Sequence, residues 1–413
     1  MERTDIQLHK IRQQFQSNPV HDLEYVLNNE FKKFPCEKLN GKSVGIAAGS
    51  RGINNIQLII QRLVGFLKEQ NASPFIFPAM GSHGGATAEG QLKVLNGLGI
   101  TETAMGCPVK SSMEVVELNN DGIEARVFMD KYAYQSDGII LVNRIKPHTA
   151  YHDTYESGLV KMAVIGAGKH AQALEIHEYG VYGLKKILPR AAKKIFESGK
   201  IMGGIAIVED GYDQTMHVEA LLTHDIMNKE PVLLAMAKQN MPCLPVKDID
   251  ILIVDEIGKN ISGTGIDTNI IGRNYIYGEP EPKSANINQL ILLKLTPETQ
   301  GNAVGMGLAD IITDELYKAI DFQKTYENVY TSTFLTRAKI PVKTSGLKEA
   351  LHYAFRAIGK HKTGNERIIR IKNTLQLEEV YVSENILEEL PGNTQIVNKN
   401  NSLLDKTGRQ TRF

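Results

Sequence analysis

Four side chains in this sequence pair acid–base or ligand chemistry with turns that leave room for a ligand: His83, His148, Lys161 and His177. His83 lies in Gly81-Ser-His-Gly-Gly, where the glycines let backbone approach a bound molecule closely. A histidine that merely caps a turn fits the same string. His148 lies in Asn143-Arg-Ile-Lys-Pro-His-Thr, and Pro147 cannot continue a central strand, so this is a loop. Arg144, Lys146 and His148 together suit an anion, or a solvated surface. Lys161 enters the apolar run Met-Ala-Val-Ile-Gly. A buried lysine can react as a nucleophile, whereas a snorkelling one only covers apolar surface. His177 follows sixteen residues later on an expected helix with Ala171, Ala173, Leu174 and Ile176. A neutral imidazole is a good nickel or zinc ligand. No HxxxH or HExxH accompanies it, so a core or helix-surface histidine is the plainer reading.

The elements around these residues follow one grammar. Lys42 to Ala48 reads as a strand ending in Gly49-Ser50-Arg51-Gly52, and Ile56 to Gln70 has apolar residues at helical spacing. Pro74-Phe-Ile-Phe-Pro is the next strand, and a helix starts near Thr87. Asp137–Asn143 and Gly203–Glu209 are further strands. Strand, glycine turn and helix in alternation predict a parallel α/β sheet, whose ligands sit beyond the carboxyl ends of its strands. Residues 1–40 read as an amphipathic helix and a linker. Prolines near Asn240 to Val246 mark a boundary, after which Asp250–Asp255 opens a second α/β unit. We therefore expect two parallel-sheet α/β domains, 1–243 carrying catalysis and cofactor and 244–413, with the active site in the cleft between them. The tail from about residue 392 is polar and should lie on the surface.

The 413 residues are 42% hydrophobic and 23% charged, enough for sizeable cores. Basic and acidic residues balance at 47 each, which argues against an electrostatic grip on nucleic acid or anionic membrane. Cys36, Cys107 and Cys243 are scattered, with no CxxC pair, so a thiolate metal site is not expected. Reduced, mostly buried thiols suit a cytoplasmic protein. The first residues have no apolar core and no run approaches a membrane span, so neither signal peptide nor transmembrane helix is expected.

Taken in order, Gly49-Ser-Arg, Gly81-Ser-His, Lys146-Pro-His, Ser157-Gly-Leu-Val-Lys and Ile176-His resemble the nickel-dependent lactate racemases and related 2-hydroxyacid racemases and epimerases. The resemblance is clearest over residues 45–180 and weaker across Asp250–Gly265. It implies an isomerase of two domains that uses a nickel-pincer nucleotide (pyridinium-3,5-bisthiocarboxylic acid mononucleotide nickel). By motif, Lys161 would tether the cofactor and His177 would be the nickel ligand. Arg51, Ser50, Ser157 and Gly158 would contact the cofactor. His83 and His148 would be the two acid/base residues, one for each face of the substrate. Arg51 would also hold an anionic group, and Lys259 the substrate carboxylate. The implied partners are a small 2-hydroxy acid and the cofactor-synthesis enzymes, with no nucleic acid and no membrane.

The chain departs from the lactate racemase pattern in three places. The segment from His148 to Lys161 is longer and holds an extra His152. The turn at Arg51 reads Gly-Ser-Arg-Gly, without an acidic residue and Thr before the Arg. The second-domain loop reads Gly-Lys-Asn-Ile-Ser-Gly-Thr-Gly. These changes fall on the substrate side and point to an acid other than lactate. Three other readings remain open: another hydride transfer on the same cofactor, a cofactor-binding protein without racemase activity, and a conventional metal-dependent lyase or hydrolase using His83, His148 and His177.

Overall fold

The computed structural model describes residues 6–50, 52–405, 410–411 and 413; Arg51, one of the expected contacts, lies outside them. The chain forms two compact units, Gln16–Met241 and Met1–Phe15 with Pro242–Phe413. The helix expected within residues 1–40 is Leu23–Phe31, but a strand precedes it, β1 (Gln7–Gln13), which belongs to the second unit. The N-terminal unit thus begins at Gln16 rather than at residue 1. The other division falls between Met241 and Pro242.

In the N-terminal unit the strands follow in chain order: β2 (Ser43–Ala48), β3 (Ser73–Pro78), the hairpin β4 (Val115–Leu118) and β5 (Val127–Asp130), then β6 (Gly138–Arg144), β7 (Ile201–Glu209) and β8 (Thr215–Leu222). Five of them form one sheet in the order β3-β2-β6-β7-β8, parallel except for the edge strand β8. Strands β2 and β6 are near-continuous apolar runs because helices cover both faces of a parallel sheet. The helix Ile56–Glu69 buries Ile56, Ile59, Ile60, Leu63, Val64 and Leu67, the stripe that a 3.6-residue period lays on one side. Truncating one of these, Leu63→Ala for instance, removes packing worth about 2–5 kcal/mol. The helix Ala88–Gly97 starts where the sequence suggests, with the Thr87 side chain accepting the Gly90 N–H at 3.0 Å.

The second unit contributes β9 (Asp248–Ile257), β10 (Asn286–Leu295), β11 (Ile311–Thr313), β12 (Val342–Thr344), β13 (Ile368–Ile371), β14 (Glu379–Val382) and β15 (Thr394–Ser402). With β1 they make an eight-stranded sheet, β12-β11-β10-β9-β13-β14-β1-β15. Strands β9 to β13 run parallel to one another; β14, β1 and β15 add antiparallel. The polar tail is therefore not irregular: β15 is exposed yet paired along β1. Isoleucines of β9, β10 and β11 pack against the helix Leu347–Ile358. No helix among the described residues is long and apolar enough to cross a membrane. All three cysteines are free, but only Cys107 is buried, and Cys243 is exposed.

Candidate active site

Register decides what meets at the carboxyl edge of the five-stranded sheet. Ala48 of β2 pairs with Pro78 of β3 on one side and Val142 of β6 on the other, so β2 and β3 finish level and β6 runs two residues further. The turns that follow, Gly49–Ser50, Gly81–His83 and Asn143–His148, therefore open side by side. The segment around Lys161 is tied across this edge. The Lys146 N–H donates to Ser157 O at 2.9 Å, the Asn143 amide to Gly158 O at 2.9 Å, and the Gly81 N–H to Gly166 O at 3.3 Å. Gly166 permits that approach, since a Cβ there would lie 2.7 Å from the Ala79 carbonyl oxygen. Met162–Gly166 winds as a π-helical turn, a form found often at functional sites.

Lys161 meets His148. The Lys161 Nζ lies 2.5 Å from His148 Nε2, while the Ala150 backbone N–H donates to His148 Nδ1 at 3.0 Å. The two nitrogens are at hydrogen-bond distance, and a lysine is a nucleophile once it has given up its proton.

His177 sits on the helix Lys169–Glu178, half-buried, with Nδ1 shielded from water and without a hydrogen-bond partner. Burial pushes its imidazole down to about 4, and the nearby Lys161 side chain acts in the same direction. His177 is thus uncharged at neutral pH, with a buried nitrogen available to a ligand. His83 is exposed and bonds through Nδ1 to the Ser50 hydroxyl, linking the turns after β2 and β3.

Several residues that shape this edge carry no signal in the sequence. Glu156 is fully buried. Its Oε2 accepts the His148 N–H at 2.7 Å and faces His152 Nδ1 at 3.1 Å, and its Oε1 takes Lys238 at 2.5 Å. Burial alone would raise this carboxyl, but His152, Lys238 and the His148 N–H together hold it below the usual range. The extra His152 is therefore built into the loop that carries His148. Glu230, from the helix Thr223–Gln239, accepts the Val160 N–H at 2.9 Å one residue before Lys161. Lys169, fully buried, donates to Pro78 O at 2.5 Å and to Gln91 Oε1 at 3.2 Å, and lies 3.1 Å from Asp130 Oδ2. Gln91 in turn donates to the carbonyls of Gly81 and His83. The start of the His177 helix is so connected to the His83 turn.

One expectation changes. Arg144 does not join His148 in an anion site, because its guanidinium is committed to Glu209, which also accepts the Asn54 N–H. In the second unit Lys259 follows β9, and its Nζ donates to Gly263 O at 2.6 Å and Asn328 Oδ1 at 3.4 Å, folding back on its own loop. Ser157 and Gly158 lie on the segment tied to the sheet edge, as described above.

The fold resembles that of a lactate racemase. The lactate racemase apoprotein from Thermoanaerobacterium thermosaccharolyticum superimposes with a TM-score of 0.50 over 88% of this chain and 94% of its own, at 12% identity. A protein from Thermotoga maritima aligns over 68% of this chain and 72% of its own, with a TM-score of 0.48 and 13% identity. No protein-family model and no curated protein matches the sequence. At such identities the likeness is one of fold.

The residues present fit a cofactor that brings most of its own metal donors. What the edge offers is one uncharged histidine with an unpartnered buried nitrogen, near one lysine whose Nζ meets His148 Nε2.

Proposed function

We propose that the chain is a racemase or epimerase of a 2-hydroxy acid, working by reversible hydride transfer to a nickel-pincer nucleotide. One observation carries this reading: the Lys161 amine faces His148 Nε2 at 2.5 Å, with uncharged His177 close by. The lactate racemase-like fold supports it. When bound, the cofactor supplies a hydride acceptor for the substrate α-carbon. Lys161 is the attachment point and His177 the nickel ligand, while Arg51, Ser50, Ser157 and Gly158 line the cofactor. His83 and His148 move the hydroxyl proton, each serving one enantiomer. Arg51 and Lys259 hold anionic groups, Lys259 taking the substrate carboxylate. Attachment at Lys161 would turn its nitrogen into an uncharged amide-type group and leave His148 Nε2 to the substrate hydroxyl.

The test is coexpression with the cofactor-synthesis enzymes, followed by intact-mass and nickel analysis. We expect a covalent adduct with nickel in the wild-type chain and no adduct in Lys161→Ala. A chain that takes up neither in a host making the cofactor would overturn the reading.

A further inference from the structure

We propose that Glu230 is the positioning residue for the Lys161 amine, acting through the backbone turn that precedes it. The inference rests on the reading above only in that Lys161 is the residue proposed to carry the cofactor. Glu230 is 1% exposed and comes from a distant helix. One carboxyl oxygen accepts the Val160 N–H at 2.9 Å; the other, Oε1, is buried without a hydrogen-bond partner. A carboxyl this buried is costly unless something in the structure requires it. Here it fixes the residue next to Lys161, and Lys161 must land on one atom, His148 Nε2.

Gly158 shows how closely the two are fitted. Its backbone is extended, a conformation open to any residue, yet a Cβ would lie 2.4 Å from Glu230 Oε1. The glycine is there to admit the carboxyl. His148 is held on its other side by Glu156, so both members of the amine–imidazole pair have a buried carboxylate behind their backbone. The titratable groups around this segment include His148, Tyr151, His152, Tyr155 and Glu156 on the loop after β6, His177 on the next helix, and Glu230 and Lys238 on the helix Thr223–Gln239. Burial pushes Glu230 up to about 7, against the pull of the Val160 and Leu159 N–H groups, in keeping with a group retained for placement.

The experiment uses the full chain without cofactor and trace acetic anhydride at pH 7, read by peptide mass spectrometry. Surface lysines are ammonium ions at this pH and react slowly; Lys161 should stand out above them. Glu230→Leu, which fills the space without an acceptor, should lower Lys161 labelling by about tenfold while surface lysines are unchanged. Glu230→Gln, which can still accept the Val160 N–H, should restore most of it. Gly158→Ala should reproduce the loss with Glu230 in place, and should add nothing to Glu230→Leu, because the two act through one contact. Should Glu230→Leu not fold, Gly158→Ala and Glu230→Gln decide alone. Lys161 labelling that is ordinary in the wild type, or unmoved by Gly158→Ala and Glu230→Leu, overturns the proposal. Failure of the cofactor to attach, with these labelling results intact, would instead count against the proposed function.

Discussion

At the residue scale, charge states make predictions with a definite sign. The His177 imidazole takes a proton near 6.5 in an unfolded chain but only near 4 in the folded one. Its contribution to stability is therefore complete above about pH 6.5 and lost as pH falls towards 4. Thermal melts of wild type and His177→Gln between pH 7 and 4.5 should converge or cross, the wild type losing more; parallel curves would contradict the buried, neutral assignment. Glu230 has the opposite sign. Its folded-state value lies above the ordinary carboxyl value, so stability is present at low pH and lost as pH rises through about 7. Glu230→Gln should gain on the wild type by about 2–3 kcal/mol between pH 5 and pH 8 in denaturant titrations. On the proposed function, His83→Ala and His148→Ala in the cofactor-loaded chain should each cost about 10²–10⁴-fold in rate. Started from opposite enantiomers in single turnovers, they should fail at different half-reactions.

His83, His148, Lys161 and His177 were legible because each stands at a turn or an apolar boundary that punctuates the sequence. Glu156 and Glu230 were not, since each is one carboxylate among many, and only tertiary contact reveals that both are buried behind the Lys161–His148 pair. Arg144 illustrates the converse. Its place beside Lys146 and His148 suggested an anion site, yet Glu209 on the neighbouring strand β7 takes its charge.

At the element scale, the buried Lys169 joins the end of β3, the helix after the His83 turn and the helix that carries His177. Burial pushes Lys169 down and its neighbour Asp130 up, as expected when two charges leave water together. Lys169→Met leaves the Asp130 carboxyl without its cation and should cost about 3–5 kcal/mol in chemical denaturation. Lys169→Met combined with Asp130→Leu should cost less than the single change; a double mutant no more stable than Lys169→Met would reject the coupling. Strand and helix assignments around the site followed from period and glycine punctuation. The π-helical turn at Met162–Gly166 did not, because an apolar run of that length gives no sign of a widened helix.

At the scale of the whole molecule, the two α/β units were legible from the alternation of apolar runs, glycine turns and helical stripes. The place of β1 was not. Its partners β14 and β15 lie at the far end of the chain, and the antiparallel pairing of His9 with Val382 leaves no trace in local sequence. The same pairing turns a polar tail into the edge strand of an eight-stranded sheet. The lactate racemase-like fold spans both units, with 88% of the chain aligned, while identity of 12% leaves the substrate to chemistry. The most direct test of the central claim follows 2-hydroxy acids deuterated at the α-carbon, each enantiomer separately, with the cofactor-loaded chain. Inversion with the deuterium retained at that carbon, and its loss in Lys161→Ala and His177→Ala, is the result this account predicts. Inversion with deuterium washed out to solvent, or a nickel-loaded chain that inverts no member of a broad hydroxyacid panel, would contradict it.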